Sequence, residues 1–206
     1  MKSGFEVRNI DARVTKDFGR EWSQYDQSGL PEKELRDLFN AYFSIFPWSR
    51  LPKNAKGFDL GCGSGRWARM VSPRVGELHC IEPSEEAMQV AKRNLVGCDN
   101  CRFHENSVDE IPLGDASMDF GYSLGVLHHV PDTRRGIESC VRKLKHGAPL
   151  LLYLYYSFDN RPFWFKPIWT ASDIVRRALS ATPYPVKLLA SRLIATFVYF
   201  PFARAS

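Results

Sequence analysis

The 206-residue sequence reads as a doubly wound α/β domain, a sheet of mainly parallel strands with helices on both faces. Three observations lead there. From residue 57 onward, short apolar runs alternate with amphipathic segments, the pattern of strand–helix–strand crossovers. The run Pro149–Tyr156 is apolar or aromatic at every second position on both sides, as in a strand buried on both faces. A glycine-rich turn, Asp59-Leu60-Gly61-Cys62-Gly63-Ser64-Gly65, follows directly on the first apolar run. The length suits one such domain with a sizeable core.

The elements follow in order. Residues 1–27 are polar and mixed, with the aromatic stretch Phe18–Tyr25 inside them. Pro31 opens a helix with Glu32 and Glu34 in its first turn, where negative charge is favourable. Leu35, Leu38, Phe39, Tyr42, Phe43 and Phe46 give that helix one apolar face, and Pro47 ends it. Phe58–Leu60 is the first strand, and Arg66–Ser72 the helix after the glycine turn, stopped by Pro73. Leu78–Glu82 is the second strand. Ser84 caps the next helix, which starts acidic (Glu85, Glu86) and ends basic (Lys92, Arg93) before Gly97. Cys101–Glu105 and Met118–Ser123 are the third and fourth strands. Asp132 or Thr133 caps a helix with Ile137, Cys140, Val141 and Leu144 on one face, ending at Gly147. Pro149–Tyr156 is the fifth strand. The tail is expected to be helical, with Val186, Leu189, Leu193, Phe197 and Phe200 on one face. The layout is an N-terminal helical arm (1–50), a core (51–157) and a basic aromatic tail (158–206), together one structural domain.

Composition narrows the function. The net charge is +5, yet residues 161–206 alone hold seven basic side chains against the single acid Asp173, so the remainder is near neutral. A basic, aromatic tail suits an anionic surface or substrate better than a nucleic-acid groove across the whole molecule. Its aromatic residues are expected chiefly to pack, with a substrate lid or a peripheral membrane contact as the other readings. No apolar run reaches membrane-span length and no signal-like start is present, which predicts a cytoplasmic protein. Five cysteines include one C-x-x-C pair, Cys98 and Cys101, without a second pair at zinc spacing, so free thiols and no metal are expected.

The glycine turn carries the chemistry. Gly61, Gly63 and Gly65 let the chain bend sharply and let a ligand approach where a Cβ would stand. The following helix offers unpaired N–H groups at its start. A dinucleotide loop would need glycine where Arg66 stands. Glu82, at the end of the second strand, is placed to accept protons from ribose hydroxyls.

Phe58–Trp67 resembles motif I of class I S-adenosylmethionine-dependent methyltransferases, and Phe120–Val130, with its Leu127-His128-His129 core, resembles the post-strand-four motif of the type 11 methyltransferase group. The resemblance covers residues 16 to about 157. It implies a Rossmann-like sheet of strand order 3-2-1-4-5 and S-adenosyl-L-methionine as cofactor. It assigns cofactor contacts to Asp59, Gly61, Cys62, Gly63, Gly65, Glu82 and Pro83. Asn106, Ser107 and Val108 would stand beside adenine, Ser123 and Leu124 would follow strand four, and Tyr25 would lie in an arm folded over the ligand. Many relatives carry aspartate where Ser107 stands; Asp109 is the nearest acid and is expected to face solvent. His128 or His129 could serve as a general base, the other reading being that they position backbone. The resemblance implies methyl transfer by in-line displacement to a nucleophile; the leading reading is a small-molecule acceptor, and the basic, aromatic tail suggests a lipophilic one. The competing reading is a catalytically incomplete cofactor-binding fragment or a subunit of a split enzyme. The family sheet ordinarily has seven strands, the last two a hairpin beside the fifth. No alternating pattern follows Tyr156, so that hairpin is expected to be missing. Strand five would then be an apolar edge covered by the tail or by a partner chain.

Overall fold

The computed structural model describes residues 8–26, 29, 31–155 and 162–200. The chain divides into two compact units, 1–155 and 156–206.

In the first unit, β1 (Lys56–Leu60), β2 (Glu77–Ile81), β3 (Cys101–His104), β4 (Phe120–Leu124) and β5 (Leu150–Tyr153) form one parallel sheet of order 3-2-1-4-5, as expected. The strands are shorter than the sequence suggests: Met118 makes only an isolated bridge, to Leu144, before β4 starts. The expected end of strand five at Tyr156 lies outside the described residues.

Two glycines fix the spacing of the central strands. Gly57 pairs with Phe120 and Phe58 with Gly121. A Cβ on either glycine would stand 2.3 Å from the phenylalanine ring of the opposite strand. Each ring lies across the bare backbone of its neighbour, so β1 and β4 tolerate no side chain at these two points.

Helices α2 (Glu32–Tyr42), α3 (Arg66–Val71) and α4 (Glu85–Asn94) pack on one sheet face, and α5 (Thr133–Lys143) on the other. The first face is aromatic: Phe43 stacks on Phe39 at 4.4 Å and meets Tyr122 edge-on at 5.3 Å. Ser84 caps α4 by accepting a hydrogen bond from the Ala87 N–H, and the Asp132 carboxylate does the same for α5 at Arg135. Helix α2 stops at Tyr42, five residues before Pro47. Val141 is more than half exposed rather than part of the α5 core face, which is built on Gly136, Ser139 and Cys140.

The polar stretch before residue 27 holds a helix that composition concealed, α1 (Ala12–Gln24), capped by the Asp11 carboxylate. It lies against α4, with Gly19 buried at the crossing: a Cβ there would meet the Ser84 hydroxyl.

The second unit contains α6 (Phe165–Ser180) and α7 (Tyr184–Ile194), continuing as a short π-helical turn through Tyr199. Helical structure is as expected. Within this unit, Phe163, Trp164, Ile168 and Trp169 are exposed. Among the described residues, no strand follows β5 and no helix is long and apolar enough to cross a membrane.

Candidate cofactor site

The strands β1, β2 and β4 end together, and a cavity of about 130 Å³ opens at their carboxyl ends. This is where doubly wound sheets place ligands, because the loops diverge to opposite faces there. Its floor is Leu60, Gly61, Glu82 and Pro83; one side is Ser107 and Val108, the other Leu124, Val126 and His129. Its roof is α1, whose Val14, Phe18 and Trp22 recur at four-residue spacing and so share one face.

Gly61 has φ +76°, and a Cβ on it would overlap Val126 at 2.4 Å. Both the backbone conformation and the close approach exclude other residues. The Gly63 N–H donates to Glu82 Oε2 at 3.1 Å, and the Ser84 N–H donates to Oε1 at 3.1 Å. The turn and the acid, nineteen positions apart, are therefore in direct contact. Burial raises the Glu82 carboxyl above its ordinary value, while the two backbone donors pull it back.

The remaining candidate positions divide by sheet face. Asp59 is fully buried on the opposite face, in register with Cys80 and Tyr122, and it does not line the cavity. Burial pushes its carboxyl up to about 8, Glu82 adds to the rise, and Tyr122 and Arg66 oppose it. The Tyr122 hydroxyl lies close to Asp59, but neither it nor Asp59 Oδ2 has a partner in ordinary hydrogen-bond geometry. Cys62 sits in the core on that same side. Gly63 lies beneath the Trp22 indole, and Gly65 opens α3 in the left-handed conformation. Ser123 donates its hydroxyl to the Leu60 carbonyl at 2.9 Å, tying β4 to β1. Asn106 is half-buried outside the cavity wall, and Tyr25, at the end of α1, is exposed.

Ser107 Oγ is buried in the cavity wall with no hydrogen-bond partner. Asp109 does not face solvent; its carboxylate accepts the Asn9 N–H and pairs with Arg135 at 3.3 Å. His129 lines the cavity with its ring edge-on to Phe18 at 4.9 Å, whereas His128 stacks on Tyr155 at 4.1 Å, both its ring nitrogens unpartnered. Burial lowers both imidazoles, and His128 lowers His129 further, so both favour the neutral form.

Sequence reasoning missed Asn9. It is buried and exchanges two 2.7 Å hydrogen bonds with the Asp132 backbone, pinning the arm to the start of α5. The i, i+4 recurrence of Ile10, Val14, Phe18 and Trp22 was a readable signal for the roof; nothing local marked Asn9. Cys98 and Cys101 form a tight turn into β3, and no metal-binding cluster occurs among the described residues.

A glycine turn touching an acid at the ends of adjacent parallel strands is the arrangement by which doubly wound domains hold a ribose-bearing ligand. Residues 58–152 match the family described as "Methyltransferase domain". Over these residues the chain is similar to the class I S-adenosylmethionine-dependent methyltransferases. It is 30% identical over 104 residues to the uncharacterized methyltransferase YcgJ of Bacillus subtilis, covering 50% of this chain and 41% of that protein. It is 31% identical over 100 residues to a demethylmenaquinone methyltransferase of Staphylococcus aureus, covering 47% and 41%. The chain thus spans about two fifths of the length of these curated relatives. The crystal structure of YcgJ superposes with a TM-score of 0.53 at 24% identity, covering 63% of this chain and 54% of that one. The DhpI–SAH complex gives 0.53 at 22%, covering 65% and 63%. These two likenesses show the fold.

Proposed function

We propose that the protein binds S-adenosyl-L-methionine in the crevice beneath α1 and transfers its methyl group to a small, lipophilic acceptor. The observation that carries this reading is the Gly63–Glu82 contact in the cavity wall. Glu82 already spends one lone pair on each oxygen and keeps the others for two ribose hydroxyls. The unpartnered Ser107 hydroxyl stands where an adenine nitrogen would satisfy it, and Val108 packs beside it. Asp59 and Cys62 then act through the backbone of the turn, without touching the ligand. Gly65, Asn106, Ser123 and Tyr25 frame the site, and Trp22 supplies the aromatic cover over Gly63.

When bound, the cofactor supplies a methyl group on a positively charged sulfur. The chain's own task is to align donor and acceptor and exclude water, which the Val14, Phe18 and Trp22 roof accomplishes. A proton lost from a hydroxyl acceptor passes to a neutral imidazole, His129 from the cavity wall or His128 behind it. The lipophilic character of the acceptor rests on the apolar cavity lining and on the name of the Staphylococcus aureus relative. A cytoplasmic location accords with the free thiols. We take 51–157 as the transfer core, with 1–50 as its roofing arm and 158–206 as a tail.

Calorimetry with S-adenosylmethionine and its demethylated product on wild type and Glu82→Ala tests the binding. Methyl release to a panel of hydroxylated lipophilic acceptors tests the transfer. Undiminished binding by Glu82→Ala sinks the reading. A second reading, a partner chain pairing with β5, is favoured by that strand's position at the sheet edge among the described residues. Tight binding without transfer, followed by transfer on adding a partner, would select it.

A further inference from the structure

We propose that α6 and α7 are a peripheral docking device for an anionic lipid surface. The inference goes beyond the cofactor site and stands on the second unit alone.

In α6, Ile168, Ala171, Val175 and Ala178 recur at spacings of three and four and share one face; Lys166, Asp173 and Arg177 occupy the opposite one. Ile168 is 59% exposed and Val175 56%. In α7, Val186, Leu189 and Leu193 repeat the pattern, and Phe197 extends it at 72% exposed. Phe163 and Trp164, in the turn before α6, are exposed as well. Scattered exposed apolar residues are ordinary, but two consecutive helices each carrying an exposed apolar stripe call for an occupant.

Charge selects which occupant. The segment 161–206 carries seven basic residues and one acid. That acid, Asp173, is engaged by Arg176 at 2.5 Å and Arg177 at 2.7 Å, which hold its carboxyl below the usual range. The tail therefore combines apolar stripes with an excess of positive charge. A second copy would offer the same apolar stripe but the same charge, and would be repelled. A nucleic acid would meet the charge and leave the stripes in water. An anionic bilayer surface satisfies both, taking the aromatic and aliphatic side chains at the acyl boundary and the Lys and Arg heads at the phosphates. No described helix is long and apolar enough to cross the bilayer, so the helices lie in its surface.

The test uses the full chain and vesicle co-sedimentation, with phosphatidylcholine alone and with about one third phosphatidylglycerol. Binding to the anionic vesicles is expected to exceed binding to the neutral ones by at least about tenfold and to fall with added salt. Ile168→Asp with Leu193→Asp removes the stripes, and Lys166→Glu with Arg192→Glu removes charge. Each pair is expected to lose about tenfold or more while keeping its helical circular dichroism and its cofactor affinity. Cofactor calorimetry thus separates failure here from failure at the crevice. Trp164 and Trp169 emission, assigned with Trp→Phe variants, should shift to the blue on anionic vesicles. No binding, equal binding to both vesicle types, or a dimer in light scattering that Ile168→Asp dissolves would each overturn the proposal.

Discussion

Two acids stand at the carboxyl ends of neighbouring strands, Asp59 on β1 and Glu82 just past β2, and the structure treats them oppositely. Glu82 accepts backbone N–H bonds on both oxygens and lines the cavity. Asp59 is buried on the other sheet face, has one oxygen unpartnered and titrates at about 8. Both are desolvated, so burial alone does not distinguish them. Position does: Asp59 lies within β1, level with Cys80 in the aromatic core, whereas Glu82 stands two residues further along the register, past the end of β2, where the chain turns to Gly63 and Ser84. The difference teaches that similar burial leaves Glu82 held by two backbone donors at the cavity wall and pushes Asp59 up to about 8 in the aromatic core.

The largest expected effect breaks this comparison at Asp59. Its folded value lies above its ordinary 3.8, so the folded state retains a proton that the unfolded chain has lost. The stability this contributes is full below pH 4 and is lost as pH rises through about 8. Urea unfolding under reducing conditions should show wild type weakening by roughly 4 kcal/mol between about pH 5 and 8. Asp59→Asn should flatten most of that slope; an unchanged slope would show Asp59 ionised in the fold.

Next comes Glu82→Ala, which should weaken S-adenosylmethionine binding by about 1–3 kcal/mol because the Gly63 and Ser84 donors lose their acceptor along with the ribose. In the wild type, affinity should decline as pH falls through the raised Glu82 carboxyl, since a protonated acid accepts fewer hydroxyl donors. An affinity flat down to the ordinary carboxylate range would contradict the ribose role.

Smaller still, Ser107→Ala should cost about 0.5–1.5 kcal/mol of cofactor binding and leave the fold's stability unchanged or slightly raised, its hydroxyl being unpartnered in the free protein. A loss of stability without loss of binding would place the hydroxyl in the scaffold. The smallest effect sharpens the Asp59 side. Tyr122→Phe removes a buried hydroxyl without a partner in ordinary hydrogen-bond geometry, so stability should change by under about 1 kcal/mol. A loss above about 2 kcal/mol would mean that the hydroxyl sustains Asp59.

Much of the architecture was legible because it rests on local chemistry. Ser84 before two glutamates caps a helix wherever it occurs, and the glycines at 61 and 63 announce a backbone that other residues cannot follow. The arm was less legible: α1 is polar by composition, and only its i, i+4 apolar row, facing a crevice built 40 to 110 residues later, gives it a partner. Asn9 carried no signal, since its two hydrogen bonds reach Asp132, more than a hundred positions away.

The sequence by itself determined the strand–helix alternation, the glycine turn and the acid that follows it, because periodicity, capping and backbone freedom act over a few residues. Tertiary structure alone decided which buried acid lines the cavity and that α1 is its roof. Those outcomes depend on which distant surfaces meet, and desolvation and hydrogen bonding are settled only where they do.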